Sequence, residues 1–95
     1  MYTLVLESDR RTVYLNQEGN DRVVYLFQEL MDGVRHRQKT CEPSRWALTW
    51  VDDLEDCLNR LRQCGATKVH ELVATGEHYR DCIEYVATAL AAKRR

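Results

Sequence analysis

Cysteine and histidine are the residues of this 95-residue chain that could bind a metal ion or act as a nucleophile. No C-x-x-C pair typical of a zinc site is present, and Cys57 and Cys64 are too far apart along a helix to share one ion. His78 and Cys82 have i, i+4 spacing, but they would need two further ligands. The basic neighbours of Cys41 could favour a reactive thiolate, and the sequence leaves its reactivity open. We therefore expect no metal and no cofactor.

A cluster of carboxylates could bind Mg²⁺ or act as general acid and base. It consists of Asp52, Asp53, Glu55 and Asp56. The same residues are explained by the capping of a helix and by the preference of its N-terminus for negative charge. No glycine-rich loop that could hold a phosphate is present either. We therefore expect a protein without enzymatic activity.

A basic cluster precedes the carboxylates in the chain. It consists of Arg35, Arg37, Lys39 and Arg45, followed directly by Trp46. Lysine and arginine bind phosphates, and aromatic rings stack on bases, so RNA or DNA binding by this segment is the alternative function. Trp46 also belongs to an alternating apolar pattern, which is equally compatible with a place in the core.

The function that the sequence favours is a non-enzymatic protein-interaction module, such as an adaptor, an inhibitor or a small subunit of a larger assembly. Separate acidic and basic clusters suit electrostatic steering toward a protein partner, and they are compatible with a homodimer. We expect the acidic cluster to contact the partner together with Tyr14 and Tyr25, and Tyr79 is a further candidate. A two-stranded β-hairpin, predicted below for the start of the chain, would also leave an edge that another chain could extend.

Length and composition indicate one globular domain over residues 1–95. Hydrophobic residues make up 44% of the chain, the net charge is −1, and a single proline with four glycines argues against disorder. No apolar stretch is long enough to span a bilayer, and no secretory signal precedes the first strand. We therefore expect a cytoplasmic protein with reduced thiols and no membrane partner.

In the first half of the chain the residue pattern predicts a β-hairpin over 2–6 and 12–15, followed by a helix. The helix begins after the break at Gly19 and is marked by Val23, Phe27, Leu30 and Val34 at helical spacing.

Alternation over 46–51 predicts a strand in the second half, with a helix from residue 44 as the alternative. Residues 52–64 are predicted as a helix that ends at Gly65. Residues 68–74 fit a strand or, less well, a helical turn. Tyr79, Ile83, Val86 and Leu90 mark a final helix. The predicted fold is therefore α+β, a small mixed sheet with three helices in the order β-β-α-β-α-β-α.

Overall fold

The computed structural model describes residues 1–40, 42, 44–52 and 65–86. These residues form one six-stranded mixed sheet and one helix, so the described fold is mainly β. The elements are β1 (Tyr2–Leu6), β2 (Asn16–Glu18), β3 (Asp21–Phe27), α1 (Leu30–Thr40), β4 (Trp46–Trp50), β5 (Lys68–Ala74) and β6 (Arg80–Val86). The prediction of an α+β chain with three helices in alternating order is therefore wrong.

The sheet is built around β3. Its strand order is β4-β1-β3-β5-β6, and β2 also pairs with β3. Strand β5 runs parallel to β3 along one edge, so β1 and β2 share the other edge, where both are antiparallel to β3. The outer pairs β1–β4 and β5–β6 are antiparallel as well. The outermost strands of the described sheet are therefore β4 and β6.

Three of the predicted strands are confirmed, since β1, β4 and β5 lie where the residue pattern placed them. The structure thus rejects a helix from residue 44 and a helical turn at 68–74. The predicted strand over 12–15 is reduced to an isolated bridge between Val5 and Val13. Two backbone hydrogen bonds flank this bridge, from Leu6 N to Thr12 O at 2.8 Å and from Tyr14 N to Leu4 O at 2.9 Å.

The helix predicted after Gly19 is wrong over its first part, because Asp21–Phe27 is strand β3. Val23, Val24, Leu26 and Phe27 are all buried, as expected for a central strand that is covered on both faces. A continuous apolar run of this kind fits a helical stripe as well as a strand, so spacing alone does not separate the two. The helix begins later, at Leu30.

The predicted final helix is also wrong where the structure describes it, because Arg80–Val86 is strand β6. Tyr79, Ile83 and Val86 are exposed large hydrophobic residues and form no buried helical stripe. Residues 53–64 of the predicted middle helix, and the predicted helix from residue 87 onward, lie outside the described residues.

Helix α1 packs on the face of the sheet that carries Phe27 and Leu48, called here the helix face. The approach is close at Gly33, where a Cβ atom would lie 2.6 Å from Leu48 Cδ2 and 3.2 Å from Phe27 Cδ2. The opposite face carries a cluster of buried hydrophobic residues, which consists of Val5, Val24, Leu26 and Val69 with Val13 and Val51 against them. In the described part of the chain, the structure contains no helix long and apolar enough to cross a membrane.

Candidate functional site

A groove of about 380 Å³ runs between α1 and the chain that connects β5 to β6. We call it the α1 groove. Four positions of α1 line it because they recur every three or four residues and so share one side of the helix. Leu72 on β5 contributes an apolar side chain, and the connection supplies charged and imidazole groups. The lining residues are Asp32, Arg35, His36, Lys39, Leu72, Glu77, His78 and Arg80.

One wall of the groove is held by an ion pair between Asp32 and Arg80. Arg80 Nε donates to Asp32 Oδ2 at 2.5 Å, and the two side chains are only 24% and 5% exposed. Arg80 Nη1 also donates to the carbonyl oxygens of Gly76 at 3.0 Å and Tyr79 at 2.8 Å. Arg80 therefore ties the β5–β6 connection to the helix and compensates the carboxylate of Asp32.

The other basic side chains of the groove are more accessible. Arg35 is 61% exposed and meets Asp32 Oδ1 at 3.4 Å. Lys39 and His78 are exposed. Because Asp32 already has Arg80 as its close partner, Arg35 and Lys39 bring positive charge to the groove that Asp32 does not neutralise.

His36 is a half-buried residue of the groove lining. Its ring lies 4.3 Å from the Tyr25 ring and 5.2 Å from the Phe27 ring, measured between centroids. Burial lowers the pKa of His36, so the neutral imidazole is favoured. Its Nε2 atom is buried and has no hydrogen-bond partner among the described residues.

Tyr25, predicted as a partner contact, is half-buried on the helix face, and its hydroxyl donates to Glu18 Oε2. Burial and the neighbouring carboxylate raise the pKa of Tyr25 to about 12. Tyr14 is also half-buried: its hydroxyl donates to the carbonyl oxygen of Thr40 at 3.1 Å, and its ring lies 4.8 Å from Trp46. Both tyrosine hydroxyls are thus engaged within the chain.

The predicted acidic cluster is described only at Asp52. That residue is exposed, and its Oδ1 accepts a hydrogen bond from Trp50 Nε1 at 2.7 Å. Asp53, Glu55 and Asp56 lie outside the described residues.

The five residues of the nucleic-acid alternative occupy more than one place. Arg35 and Lys39 share the α1 groove. Arg37 Nη1 donates to the carbonyl oxygen of Trp46 at 3.5 Å, and Trp46 is half-buried beside Tyr14. Arg45 is exposed and lines a second groove with Leu6, Glu7, Ser8 and Ser44. His78 and Arg80 line the α1 groove as well. Sequence reasoning missed this because it predicted a helix where β6 begins.

Strand β6 is the second feature that could contact another molecule. It pairs with β5 through seven consecutive residue pairs, and its other edge has no strand partner among the described residues. Residues 81–84 are all exposed, and Ile83 and Val86 expose 41% and 50% of their surface. Hydrophobic side chains therefore stand at an open edge of the described sheet.

The charged residues on the helix face of β6 have partners within the chain. Glu84 Oε2 lies 2.8 Å from His70 Nε2, and Glu84 Oε1 lies 3.4 Å from Lys68 Nζ. The hydrogen bond from His70 and the ammonium of Lys68 lower the pKa of Glu84. Lys68 Nζ also lies 3.3 Å from Asp21 Oδ2, which links β6 through β5 to β3.

No group of three or more histidine, cysteine or acidic residues in the described part of the chain is arranged to hold a metal ion. Comparison with protein-family models and with curated proteins finds no match for this chain.

Proposed function

We propose that the protein is a non-enzymatic interaction module that binds a protein partner by adding a strand of that partner to β6. The observation that carries the proposal is the free outer edge of β6 in the described sheet, with exposed hydrophobic side chains along it. An extended segment paired with such an edge satisfies its backbone hydrogen bonds, while side-chain contacts give specificity.

Strand β6 lacks most of the features by which proteins protect an edge. Protected edges are short, or they carry a proline, a bulge or unpaired charges. Strand β6 has seven residues, contains no proline and keeps a regular register with β5 throughout. Two of its three charged residues are paired, Arg80 with Asp32 and Glu84 with His70 and Lys68.

The exposed hydrophobic residues of β6 can anchor a partner on both faces of the sheet. Side chains alternate along a strand, so Ile83 and Val86 lie on opposite faces. An added strand would gain apolar contact with each of them, which backbone pairing alone does not supply.

The other outer strand is less suited to this role. Strand β4 has five residues. Its exposed Trp50 packs edge-on against Tyr2, with 5.0 Å between ring centroids, and its indole N–H is bound to Asp52. The long strand β6 is therefore the better binding edge.

Site-specific photocrosslinking tests the proposal. A photoreactive phenylalanine analogue would replace Ile83 in the full-length chain, and the same analogue at Gln17, an exposed residue of β2, is the matched control. Irradiation in an extract of the source cells should give a discrete adduct from position 83 that is absent from position 17. The adduct should be lost when Val86→Lys places a charge on the same edge.

Equal yields of adduct from the two positions, or no adduct from position 83, would overturn strand addition at β6. An adduct of twice the mass of the chain would identify a second copy as the partner, an outcome with which the sequence is compatible. Circular dichroism of each variant checks that the fold is retained.

A further inference from the structure

We propose that the α1 groove binds a small organic phosphate. The inference is independent of strand addition, because the groove lies on the helix side of the sheet and strand addition uses the outer edge of β6. It depends on the cationic and imidazole groups that converge there from two separate segments, and on the apolar contact that Leu72 provides.

The charge of the groove favours an anion. Arg80 is the closer partner of Asp32, at 2.5 Å against 3.4 Å for Arg35. The exposed Arg35 and Lys39 can therefore both act on a ligand. These two residues are four positions apart on α1, which places their side chains on the same side of the helix. A guanidinium and an ammonium one helical turn apart can donate to different oxygens of one phosphate.

The connection between β5 and β6 supplies the opposite wall. His78 is exposed there, and the position of its segment is held by the hydrogen bonds from Arg80 to the carbonyl oxygens of Gly76 and Tyr79. A donor held by an ordered segment binds an anion without a large entropy cost for ordering the loop. Glu77 lines the same groove and disfavours a ligand with negative charge along its whole length.

The size and the inner lining of the groove favour a compact ligand with an organic part. A volume of about 380 Å³ matches a small-molecule site. Leu72 offers apolar contact, and the buried Nε2 of His36 has no partner among the described residues. That atom is shielded from solvent, so a ligand would bind it only after a rotation of the imidazole ring toward the groove.

Titration followed by ¹H–¹⁵N NMR spectra of the full chain tests the inference at low ionic strength. The probes are phenyl phosphate, inorganic phosphate, phenol and a single-stranded RNA decamer. Phenyl phosphate should shift the amide resonances of residues 35–39 and 76–80. Phenyl phosphate should bind more tightly than inorganic phosphate, because Leu72 can contact its phenyl ring. Phenol should not bind measurably, because it lacks the phosphate that Arg35 and Lys39 would bind.

The variant R35Q/K39Q should bind phenyl phosphate about ten-fold more weakly or worse, because it loses two charge-assisted hydrogen bonds. The matched control R10Q/R11Q removes the same charge from exposed residues that do not line the groove, and it should keep the wild-type affinity. Well-dispersed spectra show that each variant is folded.

Three results would overturn the inference. The first is the absence of any saturable shift with phenyl phosphate. The second is an equal loss of affinity in the two double variants, which would show binding through net charge alone. The third is RNA binding that depends on Arg35 and Lys39 while phenyl phosphate does not bind, which would favour the nucleic-acid alternative. Failure of the photocrosslinking experiment at β6 would leave these outcomes unchanged.

Discussion

Replacing Arg80 by methionine should destabilise the protein strongly, because it leaves the buried carboxylate of Asp32 without its closest partner. Methionine keeps the apolar stem of the side chain and removes only the guanidinium. Removing one member of a buried ion pair costs about 3–5 kcal/mol. Arg80 is 24% exposed and Arg35 still reaches Asp32 at 3.4 Å, so we expect a smaller loss, about 2–3 kcal/mol.

Urea denaturation, followed by the fluorescence of the two tryptophans, measures this loss. A small domain unfolds with a slope of about 1 kcal/mol per molar urea, so the midpoint should fall by about 2–3 M. Asp32→Asn should cost less, about 1–2 kcal/mol, because the amide oxygen still accepts a hydrogen bond and Arg80 keeps its bonds to the loop carbonyls.

The double variant of Asp32→Asn and Arg80→Met gives the coupling between the two side chains. We expect its loss to be smaller than the sum of the single losses by about 1 kcal/mol or more. Arg10→Met is the matched control, since Arg10 pairs with Glu7 at the exposed surface. Equal losses for Arg80→Met and Arg10→Met would refute the reasoning. A coupling of zero would show that Arg80 acts through the loop carbonyls and not through Asp32.

Three further substitutions test the backbone at Gly33 and Gly19 and the half-buried imidazole of His36. Gly33→Ala should lower the free energy of unfolding by about 1 kcal/mol despite the better helix propensity of alanine, because its Cβ would overlap Leu48 Cδ2. In a Leu48→Ala background the same change should cost less in urea denaturation, because only the 3.2 Å contact with Phe27 Cδ2 remains, and an equal cost would contradict the overlap. Gly19 has φ +63°, so Gly19→Ala should cost about 1 kcal/mol and Gly19→Asn less, as measured by thermal unfolding; equal costs would contradict a strained backbone. Burial lowers the pKa of His36 below its ordinary value of 6.5, so the unfolded chain binds a proton at this imidazole more readily than the folded protein does. The contribution of the neutral imidazole to stability is therefore full above pH 6.5 and is lost as the pH falls below 6.5. His36→Gln should therefore reduce the loss of stability between pH 7.5 and 5.5, and an unchanged pH dependence in urea denaturation would contradict this assignment.

Sequence reasoning identified β1 from its short, partly β-branched apolar run and β4 from the alternation of its residues. In β4 the apolar residues Trp46, Leu48 and Trp50 alternate with smaller ones, and the structure places the three on one face of the strand, although Trp50 is 55% exposed.

Strand β3 was missed because its apolar residues continue into Leu30 and Val34 at helical spacing. Strand β1 also has neighbours on both edges, but no such continuation follows it. The β-branched Val23 and Val24 of β3 were the local signal for a strand, and helical spacing outweighed it.

Sequence reasoning brought Arg35 and Lys39 of the α1 groove together, but it did not place His78 and Arg80 beside them. Arg35 and Lys39 belong to the basic cluster because they lie close together in the chain. Their neighbours His78 and Arg80 come from a distant segment, and only the parallel pairing of β3 with β5 brings that segment beside α1. Glycine lowers helix propensity, so the sequence gives no reason for Gly33 within α1; in the structure it permits the close approach of α1 to Leu48.

The central position of β3 has a consequence for the speed of folding. The hairpins β2–β3 and β5–β6 join residues close in sequence and can form within microseconds. The pairing of Val23 with Lys68 and of Tyr2 with Trp50 instead closes large loops, and chains dominated by such long-range pairs fold in milliseconds to seconds. Until β5 pairs with β3, the free edge of β3 and its apolar side chains can bind other chains. Refolding should therefore give the least aggregation at low protein concentration.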